Sequence, residues 1–201
     1  MYKIGFIGNG CTGKTTSAFS LITQLKYDRA LVGYCNDACR FITFDPNEFD
    51  TNPAARLHVL FKQMTNECEQ LTRKDCDYIV TERTVMDWYI YYVWTCKNVG
   101  VAPDKHVTNL VMSWIDTYDV LFFMDSEGID YVNDGFRPAS TRIRDEVVPE
   151  YKAMADTITA QNLNVKFARI TDDDVRERTE HVLDIFSRWF LNHEVIRDTR
   201  K

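Results

Sequence analysis

The 201-residue sequence lacks the marks of a membrane, secreted or zinc-binding protein. Its apolar runs stay well below the ~20 residues that a helix needs to span a bilayer, and its first residues do not follow the charged, apolar, small order of a secretory signal. Its six cysteines and four histidines form neither a CxxC pair nor a cluster with zinc spacing. We therefore expect reduced thiols, no membrane partner and a cytoplasmic location.

Positive charge is also scarce, because 24 Lys and Arg residues stand against 30 Asp and Glu residues, which gives a net charge of −6. This balance disfavours a broad, non-specific grip on nucleic acid, although a local basic face is compatible with it. The sequence contains no internal repeat, low-complexity tract or Gly/Ser linker. With 45% hydrophobic residues it has the composition of a globular protein, and we predict a single domain over residues 1–201.

Short apolar segments alternate with amphipathic ones along the chain. The predicted strands cover residues 2–7, 30–35, 77–81, 119–124 and 164–170. Helices are predicted to begin near Lys14, Pro53, Thr84 and Asp104, and Thr171 is predicted to cap the last one. This order of elements predicts an α/β fold with a five-stranded parallel sheet and helices on both faces.

Two of the predicted helices carry many large apolar side chains. In the helix after Pro53, we expect the residues at helical spacing to be buried, namely Leu57, Leu60, Phe61, Met64, Cys68 and Leu71. The helix after Thr84 carries five aromatic residues, Trp88, Tyr89, Tyr91, Tyr92 and Trp94. Helical rotation spreads these rings around the axis, so core packing is the main expectation, and stacking of a nucleobase on one ring is the alternative.

The run GNGCTGKT at residues 8–15 matches the pattern G-x-x-x-x-G-K-[ST] between a predicted strand and a predicted helix. Its glycines let successive backbone N–H groups converge on one anion, and the helix N-terminus adds a positive dipole end. The run resembles the P-loop NTPase superfamily, which implies a three-layer sandwich with strand order 2-3-1-4-5 and binding of a nucleoside triphosphate with Mg²⁺. In that family Lys14 would reach the β- and γ-phosphates and the Thr15 hydroxyl would bind Mg²⁺. The predicted cofactor-binding residues are Gly8, Asn9, Gly10, Cys11, Thr12, Gly13, Lys14, Thr15 and Thr16.

A carboxylate and a guanidinium follow the third predicted strand, in the sequence TERT at residues 81–84. Because the carboxyl ends of parallel strands face the ligand crevice, Glu82 could hold Mg²⁺ or an acceptor hydroxyl, and Arg83 the transferring phosphoryl group. The pair resembles the E-R-S/T element of deoxynucleoside kinases, which lies beside the phosphoryl acceptor, while a helix cap with a surface salt bridge is the alternative. Asp37, Glu82 and Asp45 all remain candidates for the carboxylate that takes or aligns the acceptor proton. For Mg²⁺, Asp125 is the alternative to Glu82.

A segment rich in arginine follows the fourth predicted strand and is predicted to form a lid over residues 126–145. Arg137, Arg142 and Arg144 would close over the phosphates, because a planar guanidinium pairs bidentately with phosphate oxygens. The alternative is a solvated charged turn. The run DGFRP at 134–138 resembles the ribosylnicotinamide-kinase-like (NadR-type) branch of small P-loop kinases, whose acidic residue and Arg after the second strand would be Asp37 and Arg40. Small phage-encoded nucleoside and nucleotide kinases are similar to this mixture, and we expect the adenine near residues 137–142 and the turn at 171–172.

These features together predict an ATP-dependent kinase with a small nucleoside or nucleotide acceptor. The absence of an N-K-x-D sequence argues against a GTPase, and the length argues against a motor ATPase with a lid domain. The predicted catalytic residues are Lys14, Asp37, Glu82, Arg83, Arg137, Arg142 and Arg144, and the predicted metal ligands are Thr15 and Glu82. A homodimer is compatible with such a kinase. Two alternatives remain open: a kinase for a hydroxyl on DNA or RNA, including a modified base, which would need a basic groove from Lys62, Arg73 and Lys74, and a non-catalytic nucleotide-dependent binding switch.

Overall fold

A computed structural model describes residues 1–41, 46–73, 75–129, 142–160 and 164–191. The strands are β1 (Tyr2–Ile7), β2 (Val32–Cys35), β3 (Tyr78–Thr81), β4 (Val120–Met124) and β5 (Lys166–Ile170). The helices are α1 (Lys14–Tyr27), α2 (Pro46–Thr51), α3 (Pro53–Leu71), α4 (Val85–Asn98), α5 (Lys105–Ile115), α6 (Arg142–Glu146), α7 (Val148–Ala160) and α8 (Val175–Phe186). A turn of 3₁₀ helix covers Ala38–Phe41, and a π-helical turn follows α8. Asp45, Lys74 and Arg137 lie outside the described residues, as does most of the predicted lid.

The five strands form one parallel sheet in the order β2-β3-β1-β4-β5, which confirms the predicted order. Gly5 of β1 is in register with Thr81 of β3 on one side and with Leu121 of β4 on the other. The carboxyl ends of these three strands therefore lie side by side. The loop after β1 emerges between Glu82, which follows β3, and Asp125, which follows β4.

Helices cover both faces of the sheet, and each face has its own apolar cluster. Leu121 and Phe123 belong to the cluster that includes residues of α3, α4, α5 and α7, whereas Val120 and Phe122 belong to the cluster that includes residues of α1 and α8. Because β4 is buried on both faces, all five of its residues are apolar rather than alternating with polar ones. None of the helices in the described ranges has both the length and the apolar character that crossing a membrane requires.

The inward face of α3 differs from the predicted one. Phe61 is 45% exposed and Cys68 is also exposed. The buried residues of α3 are Ala55, Arg56, Val59, Leu60, Gln63, Met64 and Glu67. The helix is rotated toward its polar residues because those residues have partners in the interior. The prediction for α8 was also wrong, since its N-cap is Asp174, which accepts from the N–H groups of Arg176 and Glu177, and not Thr171.

Glu67 of α3 is the centre of a buried polar cluster between this helix and the sheet. Its carboxylate lies 2.7 Å from Nζ of Lys3 on β1, and both side chains are almost completely buried. Trp114 Nε1 and Tyr118 Oη each donate to Glu67 at 2.8 Å. The ammonium of Lys3 also lies 3.9 Å from the centre of the Tyr118 ring, so the buried cation and anion are both compensated.

Lys3→Met should destabilise the fold, because Glu67 would keep its other hydrogen-bond donors but lose the ammonium that pairs with it. Breaking one half of a buried ion pair costs about 3–5 kcal/mol, and we expect the urea midpoint to fall accordingly. The double variant Lys3→Met/Glu67→Gln should recover part of that loss, and Lys105→Met at an exposed position is the matched control. A Lys3→Met midpoint equal to that of the control would contradict a stabilising pair.

Candidate active site

The loop between β1 and α1 has the backbone that an anion-binding loop requires. Gly8 has a φ of 153° and Gly13, the N-cap of α1, a φ of 83°, while Cys11 adopts the left-handed region with a φ of 62°. A Cβ on Gly8 would overlap the carbonyl oxygen of Met124 at the end of β4, so glycine is needed there for space as well as for conformation. The loop is thus pressed against the carboxyl end of β4.

Several carbonyl groups of this loop have donors of their own. Asn9 O accepts from Lys14 Nζ and, at 3.0 Å, from Thr12 Oγ1. Gly10 O accepts from Arg144 Nε at 3.4 Å. When carbonyl groups are held in this way, the N–H groups of the loop can turn toward the opposite side, where a phosphate binds. The Gly10 N–H already meets an oxygen acceptor, Asn9 Oδ1, at 2.8 Å.

A buried carboxylate, Asp87, anchors the start of the loop to helix α4. Its Oδ1 accepts from the Gly8 N–H at 3.0 Å and from the Tyr151 hydroxyl at 2.9 Å. Its Oδ2 accepts from the N–H of Thr84 at 2.8 Å and from its hydroxyl at 2.7 Å, which forms a capping box at the N-terminus of α4. The same residue therefore starts a helix and fixes the first amide of the loop.

Glu82 lies directly beside Thr15, so the two residues predicted to bind metal are brought together. Thr15 Oγ1 donates to Glu82 Oε1 at 2.5 Å, Arg40 Nη2 donates to the same oxygen at 2.8 Å, and the Tyr34 hydroxyl donates to Oε2. Burial alone would raise the pKa of Glu82, but the bonds from Thr15 and Tyr34 and the charge of Arg40 outweigh it and lower the pKa. The carboxyl group is thus held as a carboxylate. Sequence reasoning missed Tyr34, and its place on β2, one residue before the carboxyl end, was the only available signal.

Tyr34→Phe should move the acid limb of the pH–activity profile to higher pH. The Tyr34 hydroxyl stabilises the charged form of Glu82, so its loss raises the pKa of that carboxyl and lets it protonate at a higher pH. The profile of kcat/KM for ATP, the predicted substrate, measures this shift, with Tyr27→Phe at an exposed position as the control. An acid limb that coincides with that of the control would show that the Tyr34 bond does not tune Glu82.

A second carboxylate, Asp37, pairs with Arg83 rather than with the loop. Arg83 Nε donates to Asp37 Oδ2 at 2.9 Å, and Asp37 Oδ1 accepts from the Cys39 N–H at 3.1 Å. Arg83 Nη1 lies 3.5 Å from Asp87 Oδ1, and it has no hydrogen-bond partner among the described residues although it is buried. Burial disfavours the cation, but Asp37 and the other nearby groups raise the pKa of Arg83 well above its ordinary value, so the guanidinium stays charged.

An aromatic and cationic wall lies next to this second pair. The Tyr91 ring lies 5.9 Å from the Arg83 guanidinium and 5.2 Å from that of Arg56, and its hydroxyl donates to Asn9 Oδ1 at 3.4 Å. Arg56 also stacks on Phe49, at 4.7 Å. Trp88, Tyr92 and Trp94 are buried in the core, as expected for most of the α4 aromatic residues. Sequence reasoning missed Arg56, because an arginine in an amphipathic helix is normally expected at the surface.

The arginines predicted for the lid occupy different positions. Arg144 lies against the phosphate loop, where Nε donates to Gly10 O and Nη2 donates to Ile129 O at 2.6 Å. Arg142 pairs with Glu146 at 2.8 Å on an exposed part of α6. Asp125, the alternative metal carboxylate, accepts from Arg169 Nε at 2.9 Å. Arg144 is thus placed at the phosphate loop.

A sequence profile of the family described as an AAA domain matches residues 3–178, from β1 into α8. The chain belongs to this AAA-domain family. The match covers the phosphate loop, the Thr15–Glu82 pair and the Asp37–Arg83 pair. It confirms the assignment to P-loop proteins that residues 8–15 predicted. A search of curated proteins found no match to the chain.

This protein also resembles solved structures of deoxyadenosine kinase from M. mycoides. The structure with bound dCTP has a TM-score of 0.57 at 13% identity and covers 92% of this chain and 98% of the kinase chain. The structure with bound dATP has a TM-score of 0.56 at 13% identity, over 93% and 100% of the two chains. A third, with the products dCMP and dCDP, has a TM-score of 0.57 at 12% identity, over 92% and 98%. At this identity the likeness concerns the fold.

Proposed function

We propose that this protein transfers the γ-phosphoryl group of ATP to a small nucleoside or nucleotide. The observation that carries the proposal is that two carboxylates at the carboxyl edge of the sheet have different partners. Thr15 and Glu82 form one pair beside the phosphate loop, and Asp37 and Arg83 form the other on the α4 side. A nucleotide-dependent switch needs only the first pair, whereas phosphoryl transfer also needs a group for the acceptor.

The first pair suits Mg²⁺, because a threonine hydroxyl and an ionised carboxylate supply the oxygen ligands that this ion prefers. Thr15 and Glu82 would hold the ion, which would supply positive charge to offset the negative charge of the phosphates. The loop residues 8–16 would cradle the phosphates, with Lys14 as the mobile cation. Arg144 already lies at the loop, and Arg137 and Arg142 remain proposed lid residues.

The second pair suits the acceptor. Among the described candidates Glu82 is engaged by Thr15, so we assign to Asp37 the role of accepting the proton from the acceptor hydroxyl, or of aligning an acceptor phosphate through Arg83. The third candidate, Asp45, lies outside the described residues. Arg83 is charged and has one buried N–H group without a partner among the described residues, so it can stabilise the negative charge that develops on the transferring group. The ring of Tyr91 offers a surface beside it for the rest of the acceptor.

The decisive experiment incubates the protein with γ-labelled ATP, Mg²⁺ and three separate acceptor pools. Deoxynucleosides, deoxynucleoside monophosphates and single-stranded DNA are the pools, and deoxyadenosine and deoxycytidine are tested first because of the ligands in the similar structures. Label on a free nucleoside or nucleotide is the expected result. Label on DNA would instead support the polymer kinase, and tight ATP binding without transfer to any pool would support the switch.

The polymer alternative receives little support from α3. Arg73 pairs with Asp75 at 3.6 Å at the end of this helix, and Lys74 lies outside the described residues. The exposed Glu69 also adds negative charge to the surface of this helix. A cytoplasmic location and a homodimer remain expectations, and gel filtration with light scattering tests the second of these.

A further inference from the structure

Arg178 of α8 is a buried cation that joins three segments around the phosphate loop. It is completely buried, and among the described residues its guanidinium donates to backbone carbonyl groups. Nε donates to Asp172 O in the turn between β5 and α8, and Nη1 donates to Asp125 O at the end of β4. Nη1 also lies 3.4 Å from Thr12 O of the phosphate loop. One side chain thus connects the loop with two turns that flank it.

The contact with Thr12 matters because of how a phosphate loop works. For its N–H groups to point toward one anion, the carbonyl groups of the loop must point away, and buried carbonyl groups need donors. Lys14 donates a hydrogen bond to Asn9 O, and Arg144 donates one to Gly10 O. Arg178 is the charged side chain that donates to Thr12 O. Close packing supports this contact, since a Cβ on Gly13 would lie only 3.2 Å from Val175 Cγ1 at the start of α8.

An apolar side chain at this position would avoid the cost of burying a guanidinium, although the three carbonyl groups would then lose this donor. Burying a guanidinium among carbonyl groups requires desolvation, and burial lowers the pKa of Arg178 against the opposing charge of Asp125 and Asp172. In addition, Nη2 is buried without a hydrogen-bond partner in the described ranges. A buried donor without a partner is itself destabilising. The residue is therefore poorly explained by packing, whereas all of its bonds go to segments that surround the nucleotide site.

We propose that Arg178 is a positioning residue that holds the phosphate loop in its anion-binding conformation and fixes it against the turn after β5. The inference rests on the proposed binding of a nucleoside triphosphate by this loop. Arg178 acts through Thr12 and the two turns, so it does not itself need to contact the ligand. Loss of Arg178 should weaken the binding of ligands that carry phosphates, and it should change the affinity for a ligand without phosphates much less.

The test compares Arg178→Met and Arg178→Lys with the wild type and with Arg176→Met, an exposed arginine of the same helix. Calorimetry measures the Kd for Mg·ATP and for adenosine, and urea unfolding measures stability. We expect Arg178→Met to weaken ATP about tenfold or more, which is the effect of one charge-assisted hydrogen bond, with a much smaller change for adenosine. The affinity of Arg178→Lys should lie between those of Arg178→Met and wild type, because an ammonium keeps the positive charge but lacks the planar fork of donors that reaches separate carbonyl groups.

Several results would overturn the inference. A folded Arg178→Met or Arg178→Lys variant that binds ATP as tightly as Arg176→Met would show that Arg178 is only structural. Equal weakening of ATP and adenosine would contradict a role in phosphate binding. If Arg178→Met fails to fold, Arg178→Lys decides by the same comparison. A wild-type protein that binds no nucleoside triphosphate at all would instead refute the proposed function, which keeps the two failures apart.

Discussion

Lys14→Met should abolish phosphoryl transfer and leave the fold intact. The side chain of Lys14 is buried along the loop, and its ammonium bonds to Asn9 O and lies 3.3 Å from Thr12 Oγ1. Methionine keeps most of the apolar stem but removes the positive charge that would meet the β- and γ-phosphates. We expect transfer to fall by a factor of about 10³ or more, since preorganised charges at the transferring group are among the largest catalytic terms.

Transfer from labelled ATP to the best acceptor measures this loss, and urea unfolding shows whether the variant is folded. Lys26→Met is the matched control, because Lys26 is exposed near the end of the same helix. If Lys14→Met retained a tenth of the wild-type rate while folded, Lys14 could not have the role that the loop motif predicts.

Substitution of Asp37 and of Glu82 should affect different kinetic quantities. Asp37→Asn should lower kcat by a factor of about 10²–10⁴, because the acceptor would lose the group that takes or aligns its proton. The KM for ATP should change little, since Asp37 bonds to Arg83 and to the Cys39 N–H and not to the loop. Glu82→Gln should instead raise the Mg²⁺ concentration needed for half-maximal activity, because Glu82 bonds to the hydroxyl of Thr15.

A Mg²⁺ titration at fixed ATP and saturating acceptor distinguishes the two variants. Asp156→Asn on the exposed side of α7 controls for the loss of one negative charge. Exchange of the two phenotypes, with Mg²⁺ dependence altered in Asp37→Asn and not in Glu82→Gln, would reverse the assignment of the two pairs. Arg83 retains Asp87 as a nearby anion in Asp37→Asn, so unfolding experiments should show a folded variant.

The phosphate loop and the strand order could be predicted because both depend on short-range patterns. The glycines and Lys14 of the loop are needed by its backbone and its ligand, and buried parallel strands are apolar without interruption. Asp37 and Glu82 could be named as candidates from their places after two strands. Their separate roles could not be assigned, because the difference depends on Thr15 and Arg83, which reach them only in the folded chain.

Buried charges account for most of what the sequence concealed. The amphipathic pattern of α3 predicted an inward Phe61, whereas the structure buries Glu67 and Arg56. Glu67 is inside because Lys3, 64 positions earlier, lies opposite it. Arg178 is inside because three distant carbonyl groups surround it. A periodicity argument treats every charged residue as exposed, so it fails wherever the compensating partner comes from another part of the chain.

The double role of Asp87 has a consequence for local opening of the protein. The N–H groups of Gly8 and Thr84 donate to the two oxygens of this one carboxylate, although they belong to different segments. Neither amide can exchange its hydrogen with solvent by a movement that leaves Asp87 bound to both. The first turn of α4 and the first residue of the loop therefore share one protected unit, and fraying of the helix there also exposes the nucleotide site.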